Sequence, residues 1–267
     1  MTQTAVITGA SSGIGKALAQ QFAAHGYDVV LVARNRAALE DAARDLGGLA
    51  AGTDGRSRRG IRVVPTDLSR PGAATALVEQ LRADGIQVDV LVNNAGFGLQ
   101  GDFVELPVDR QIEMIQLNVV ALTELTRLLL PPMLSRRTGG VLNVASTAAF
   151  QPGPLLSVYY ATKAYVLSFT EGIAEELADA GIKIGCLCPG RTATAFAERA
   201  GMTKTNLFKG EVMGVDQVAR EGFEAWNRGE VVFIPGRTNR RNAMVVRFAS
   251  RSFVRRTVKR LNSLAAG

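Results

Sequence analysis

The octapeptide Thr8-Gly9-Ala10-Ser11-Ser12-Gly13-Ile14-Gly15 stands where a short apolar run, Ala5 to Ile7, gives way to a segment of helical period over residues 14 to 25. Glycines at such a junction let the backbone approach a pyrophosphate, while the start of the helix supplies unpaired N–H groups and the positive end of its dipole. The spacing is Gly-x-x-x-Gly-x-Gly, which departs from the Gly-x-Gly-x-x-Gly dinucleotide fingerprint. Taken alone, the turn reads as well as a structural element as it does as a phosphate cradle.

Away from this turn, short β-branched runs alternate with longer helical segments, the pattern of a doubly wound parallel sheet with helices on both faces, an α/β fold. The strand-like runs are Ala5 to Ile7, Asp28 to Ala33, Ile61 to Val64, Val88 to Val92, Val141 to Val144, Lys183 to Cys188 and Val231 to Ile234. Helices are predicted near 14–25, 36–46, 72–84, 109–134, 157–180 and 215–228, long enough for right-handed crossovers between parallel strands. Gly47 to Gly60, rich in Gly, Ala, Ser and Arg, reads as a mobile surface loop before the third strand.

With 267 residues, 47% of them hydrophobic, 21% charged and only 6% aromatic, the chain is neither disordered, collagen-like nor a small disulfide scaffold. One α/β domain accounts for this length. Residues 1–235 are expected to form it, with 236–267 as a helical extension. The net charge of +7 is a property of that extension: nine basic residues and no acidic one follow Gly236, whereas 22 basic and 24 acidic residues precede it. Cys186 and Cys188, two apart in an apolar run, face the same side of a strand, but no further ligands cluster near them and no metal site is expected. A reducing compartment suits them. The first residues have neither a positive n-region nor a long apolar h-region, and the longest uncharged stretch, Thr138 to Thr162, is interrupted by Gly139, Gly140, Pro152, Gly153 and Pro154. A cytoplasmic protein is therefore expected.

Chemistry enters at two further places. At the end of the second strand of a dinucleotide fold, an acidic side chain binds the ribose 2′-hydroxyl and a basic one accommodates a 2′-phosphate. Ala33 and Arg34 occupy that place, so the reading is NADP(H) over NAD(H). Tyr159 and Lys163 lie four apart in a helical segment, so an ammonium can sit near a phenol and lower its pKa. Ser146 closes a strand and can donate to a carbonyl oxygen that gains charge. His25, before Gly26 at a helix end, is read as complementing the dipole, and Tyr160 and Trp226 as packing residues.

Taken in order, Thr8 to Gly15, Asp67, Asn93-Asn94-Ala95-Gly96, Asn118, Ser146, Tyr159-x-x-x-Lys163 and Pro189-Gly190 resemble the short-chain dehydrogenase/reductase family over residues 1 to about 235. The interval of 13 residues between Ser146 and Tyr159 is family-like too. Wording around Asn93 to Gly98 and Phe150 to Pro154 is similar to a bacterial branch of broadly annotated carbonyl reductases. The resemblance implies a Rossmann-like sheet, NADP(H), and reversible reduction of a ketone or aldehyde, with Tyr159 as general acid/base and Asn118, Ser146 and Lys163 completing the catalytic set. Lys163 would lower the Tyr159 pKa and hold the nicotinamide ribose, while Asn118 would position a relay water. Thr8, Gly9, Ser11, Ser12, Gly13, Ile14 and Gly15 would surround the phosphates, and Asp67 with Leu68 would meet the adenine. Asn94, Ala95 and Gly96 would line the adenosine ribose, and Pro189, Gly190, Thr192 and Thr194 would lie near the nicotinamide.

The run from Arg191 to Gly214, carrying Phe196, Met202, Leu207, Phe208 and Met213, suits a lid over an apolar substrate. A homodimer or homotetramer paired through the segments 109–134 and 157–180 is the family's usual assembly. The rival reading is an NADP(H)-binding regulatory protein with little turnover, although such proteins commonly lose a catalytic residue and all four are present here. In the tail, Arg247, Arg251, Arg255 and Lys259 recur every four residues with Val254, Val258 and Leu261 on a different face. That is a basic amphipathic helix, packed on its own subunit or making a peripheral contact with an anionic membrane. Nucleic acid is not expected, because the body is slightly acidic and no recognition motif accompanies the stripe.

Overall fold

Seven strands form a single sheet in the computed structural model, which describes residues 2–50, 60–203, 205–209 and 212–264, without the side chains of 48–50 and 208–209. They are β1 (Thr4–Thr8), β2 (Asp28–Ala33), β3 (Ile61–Pro65), β4 (Val90–Asn93), β5 (Gly140–Val144), β6 (Lys183–Leu187) and β7 (Val232–Phe233). Every pairing is parallel, in the order β3-β2-β1-β4-β5-β6-β7. The chain steps outward from β1 to β3, then returns to lay β4 on the other side of β1. A crevice therefore opens at the carboxyl ends of β1 and β4, where loops leave in opposite directions.

The helices are α1 (Gly13–Ala24), α2 (Arg36–Ala50), α3 (Ala73–Ala83), α4 (Val108–Ile115), α5 (Leu122–Arg136), α6 (Ser157–Glu176), α7 (Ala195–Arg199), α8 (Val215–Asn227), α9 (Arg237–Val246) and α10 (Arg251–Asn262). Period-two alternation along the strands assigns each its layer. Ala5 and Ile7 point with Val29 and Leu31 into a core shared with Leu18 and Phe22 of α1, Leu39 and Leu46 of α2, and Phe223 and Trp226 of α8. Val6, Val30 and Leu91 point the other way, onto Leu77 and Leu81 of α3 and Leu125, Leu129 and Met133 of α5. Each fully buried Val, Leu, Ile, Phe or Met among them contributes roughly 1.5 to 3 kcal/mol. Trp226 packs as expected, its Nε1 donating to the Val141 carbonyl at 3.2 Å.

Several elements differ from the sequence reading. The single helix expected over 109–134 runs as α4, a π-helical turn over Gln116–Ala121, and α5. By length and composition the whole run, Val108–Arg136, is apolar enough to cross a membrane, which the interrupted stretch at 138–162 did not reveal. Its Leu122, Leu125, Leu129 and Met133 are buried within the protein. Four residues of the loop expected from Gly47 continue α2 to Ala50, and residues 51–59 lie outside the described ones. The tail forms two helices rather than one, because Phe248 and Ala249 leave the helix and Ser250 starts α10 by accepting a hydrogen bond from the Phe253 N–H.

Candidate active site

The glycine turn is held by what lies beneath it. Thr8, at the end of β1, is buried; its hydroxyl donates to the Val92 carbonyl at 3.2 Å and accepts from the Asn94 and Ala95 N–H groups at 3.0 Å. Asn94 in turn donates from Nδ2 to the carbonyl oxygens of Thr8, at 2.9 Å, and Gly9, at 3.3 Å. A Cβ on Gly15 would sit 2.3 Å from that Nδ2, and Gly9 has a φ of +67°, so each position excludes a side chain for a separate reason. Ser12 caps α1 in an extended conformation with no side-chain cap hydrogen bond, and no acidic residue occupies the first turn. The first N–H groups of α1 thus keep their donors for a ligand. Ser11, Ser12, Gly13 and Ile14 line the cavity above them, whereas Thr8 and Gly15 support the turn from behind.

On one side the cavity reaches the ends of β2 and β3. Arg34, Asp67 and Leu68 line it there. Burial pushes the Asp67 carboxyl up, but hydrogen bonds from the Ser69 hydroxyl and N–H, with the charges of Arg34 and Arg70, hold it below the usual carboxylate range. Arg34 is exposed, and its guanidinium lies 3.6 Å from Glu113 on α4. The turn's N–H donors, a cationic side chain at the end of β2 and an anchored carboxylate acceptor together fit a dinucleotide.

On the other side stand Tyr159 and Lys163, one turn apart on α6 and both buried. Ser146, just past β5, stands beside the phenol and pulls its pKa down, while its hydroxyl donates to the Pro189 carbonyl at 3.4 Å and accepts from the Ala148 N–H at 3.1 Å. Lys163 donates to the Val144 carbonyl at 2.8 Å and lies 5.9 Å from the centre of the Tyr159 ring. The Tyr159 phenol is pushed up by burial against the pull of Ser146, and the Lys163 amine is pushed down to about 8, again by burial. This differs from the expectation that Lys163 lowers the Tyr159 pKa. The ammonium is engaged by a carbonyl and burial dominates, so the phenol is held protonated.

Asn118 is brought close to this group but not onto the cavity wall. The π-helical turn directs its side chain inward, where Oδ1 accepts from the Phe97 N–H at 3.1 Å and Nδ2 donates to the Phe97 carbonyl at 3.0 Å and to Thr162 Oγ1 at 3.1 Å. Those bonds brace the loop after β4. Asn93 faces the sheet interior instead, donating to Thr126 Oγ1 and Asn143 Oδ1. Gly9, Asn94, Ala95, Gly96, Ser146, Pro189, Gly190, Thr192 and Thr194 line the cavity of about 540 Å³ together with Tyr159 and Lys163.

Beyond Tyr159 the lining turns largely apolar, with Phe97, Leu99, Ala148, Phe196, Met202 and Leu207, and the Arg110 guanidinium lies over the Phe97 ring, 4.9 Å from its centre. Tyr160, expected only to pack, also lines this end, and its hydroxyl donates to Asn262 Oδ1 at 3.3 Å. The side chain of Asn262 is completely buried, and its Nδ2 donates to the Pro154 carbonyl at 2.9 Å. No local signal could have found this pair, because its partners lie 102 residues apart. His25 stands apart from the site, exposed, with Nδ1 2.8 Å from the Gln21 carbonyl and its ring against Phe223.

A family model described as short chain dehydrogenase matches residues 3–205. An uncharacterized oxidoreductase of Staphylococcus aureus (strain MRSA252) is 32% identical over 191 residues, 72% of this chain and 78% of that protein. Among solved structures, a short-chain dehydrogenase from Sphingobium yanoikuyae in complex with NADPH is 35% identical, with a TM-score of 0.79 over 91% of this chain and 92% of its own. The bulky-bulky ketone specific alcohol dehydrogenase from Comamonas testosteroni is 29% identical, with a TM-score of 0.76 over 92% of this chain and 91% of its own.

Proposed function

The chain belongs to the short-chain dehydrogenase/reductase family of oxidoreductases, and from that membership we propose that it reduces a ketone or aldehyde to an alcohol with NADPH, reversibly, using Tyr159 as proton donor. The carrying observation is the buried Tyr159, lining the cavity beside Ser146 where its polar, glycine-walled part meets its apolar end. A bound nicotinamide would supply the hydride. The first turn of α1 would hold the phosphates, Arg34 the 2′-phosphate, and Lys163 the nicotinamide ribose. Ser146 would orient the carbonyl oxygen, and Tyr159, kept neutral by its burial, would give that oxygen its proton. Asn118 acts at one remove, as a positioning residue for the loop that carries Phe97. The apolar end favours a substrate with bulk on at least one side of its carbonyl, in keeping with the bulky-ketone relative.

This reading extends to assembly. Val108, Ile112 and Ile115 follow at i, i+4 and i+7 on α4 and are exposed, as are Phe103 and Val104 before them and Tyr165 on α6. A second copy of the chain laid across these helices would cover that face isologously.

Oxidation of NADPH in the presence of a panel of ketones tests the chemistry. Tyr159→Phe is expected to lower turnover by about 10² to 10⁴ while leaving NADPH binding within a few-fold, since general acid catalysis contributes roughly that factor. Retention of turnover within a factor of about three would remove Tyr159 from the mechanism. Tight NADPH binding with no oxidation on any ketone would favour a sensing role.

A further inference from the structure

The last two helices have one face that is anchored and one that is not. Ala243 of α9 and Val254, Val258 and Asn262 of α10 are buried. Val254 and Val258 join the cluster of Tyr159, Tyr160, Ala197 and Met202 behind the apolar end of the cavity, with Val246 and Ala249 packed against it. The Gln100 side chain donates to the Asn262 carbonyl, adding to the bonds from Tyr160 and to Pro154. The outward side is therefore a fixed surface.

That surface combines two features that a protein in water alone has no reason to join. On α9, Arg237, Arg241, Met244, Val245 and Phe248 fall at i, i+4, i+7, i+8 and i+11, along one side of the helix and into the turn beyond it. Phe248 is 87% exposed, Met244 60% and Val245 58%. On α10, Phe253, itself 58% exposed, shares the outward side with Arg256 and Arg260. All nine basic side chains after Gly236 are exposed, and among the described residues none of them is in an ion pair. No acidic residue occurs in this segment.

We propose that this outward face of α9, the turn at Phe248 and α10 is a lipid-docking surface, which seats the protein reversibly on an anionic bilayer. Such a bilayer accepts both features together: Met244, Val245, Phe248 and Phe253 enter the boundary of headgroups and acyl chains, and the arginines meet lipid phosphates. A second copy of this chain would bring the same positive field and be repelled, while a nucleic acid would leave the aliphatic Met244 and Val245 unused. Because the inner face of the same helices braces the cluster behind the cavity, the docked surface would sit next to the apolar end of the site.

The test is co-sedimentation of the full chain with vesicles of phosphatidylcholine alone and of phosphatidylcholine mixed with phosphatidylglycerol, at low and high salt. The expected result is at least about tenfold stronger partition onto the anionic vesicles, reduced by salt, since each basic side chain near an anionic surface contributes about fivefold. Phe248→Ser combined with Phe253→Ser is expected to lower partition by about tenfold or more without shifting the thermal midpoint, because both rings are exposed. Arg241→Glu with Arg256→Glu should abolish the preference for anionic vesicles. Partition that is absent, or equal on the two vesicle types, overturns the proposal. So does a serine variant that binds vesicles like the parent but sediments as a smaller assembly, which would give the face to a second copy. Binding of a random oligonucleotide without vesicle binding would give it to nucleic acid and equally overturn the proposal. Lipid partition is read without turnover, so its failure is separate from that of the reductase reading.

Discussion

Arg34 holds its place through the register of the sheet. Ala33, at the end of β2, pairs with Pro65, and the Thr66 N–H donates to its carbonyl, so the next side chain projects over the mouth of the cavity beside Asp67. Its only ion-pair partner among the described residues is the half-buried Glu113, at 3.6 Å and shared with Arg110, while the Arg34 side chain itself is exposed and can exchange that contact for a phosphate. A charge-assisted hydrogen bond to phosphate is worth roughly 1.5 to 3 kcal/mol, or one to two decades in affinity. Arg34→Ala is accordingly expected to weaken NADPH binding by about ten- to a hundredfold and NADH binding by no more than a few-fold. Dissociation constants for both cofactors, with and without the substitution, check this; equal losses for the two would show that Arg34 does not read the 2′-phosphate. Side chains of this kind, placed by a strand end or a helical period, were legible in the sequence: Tyr159 and Lys163 share a face because they are four apart. The electrostatics between them were not, because the Val144 carbonyl that takes the ammonium belongs to a different element, β5.

At the scale of elements, the segment from Phe150 to Leu156 is held between α6 and the C-terminal helix. Gly153 lies under the Tyr160 ring so closely that a Cβ would fall 2.1 Å from it, and the ring is tethered at its far end to Asn262. Gly153→Ala must therefore displace Tyr160 and the cavity wall with it. Overpacking of this kind costs about 1 to 3 kcal/mol. The expected result is a lower urea midpoint with an unchanged m-value, together with a raised KM for bulky ketones. Adding Tyr160→Leu should recover part of the stability, because the clash and the ring are then removed together. Full stability in Gly153→Ala alone would show that the strap is not tight. The π-helical turn at Gln116–Ala121 is an element of the same kind, one that turns Asn118 toward Phe97. Hydrophobic periodicity carried α4 and α5 as one helix, since a single widened turn leaves the apolar stripe almost unbroken.

Over the whole molecule, exposed apolar residues gather on two faces, the α4 side with Val108 and Ile112 and the C-terminal side with Phe248 and Phe253. Only the second carries a dense positive field, so the two faces suit different partners. If α4 meets a second copy, Ile112→Glu buries two charges across a two-fold contact and should convert the assembly to monomers. Sedimentation velocity of both proteins measures this, and a parent chain that is already monomeric would remove the pairing. The sequence by itself determined the layered α/β fold, the order of its strands along the chain and the residues at the turn, the strand ends and α6, because each follows from a local period or a glycine at a junction. Only the tertiary structure decided which of them reach the cavity, that Thr8 and Asn118 serve from behind its wall, and that the last helix ties Asn262 to Tyr160. Those outcomes depend on contacts between residues far apart in the chain, and no periodicity or spacing encodes which distant surfaces will meet.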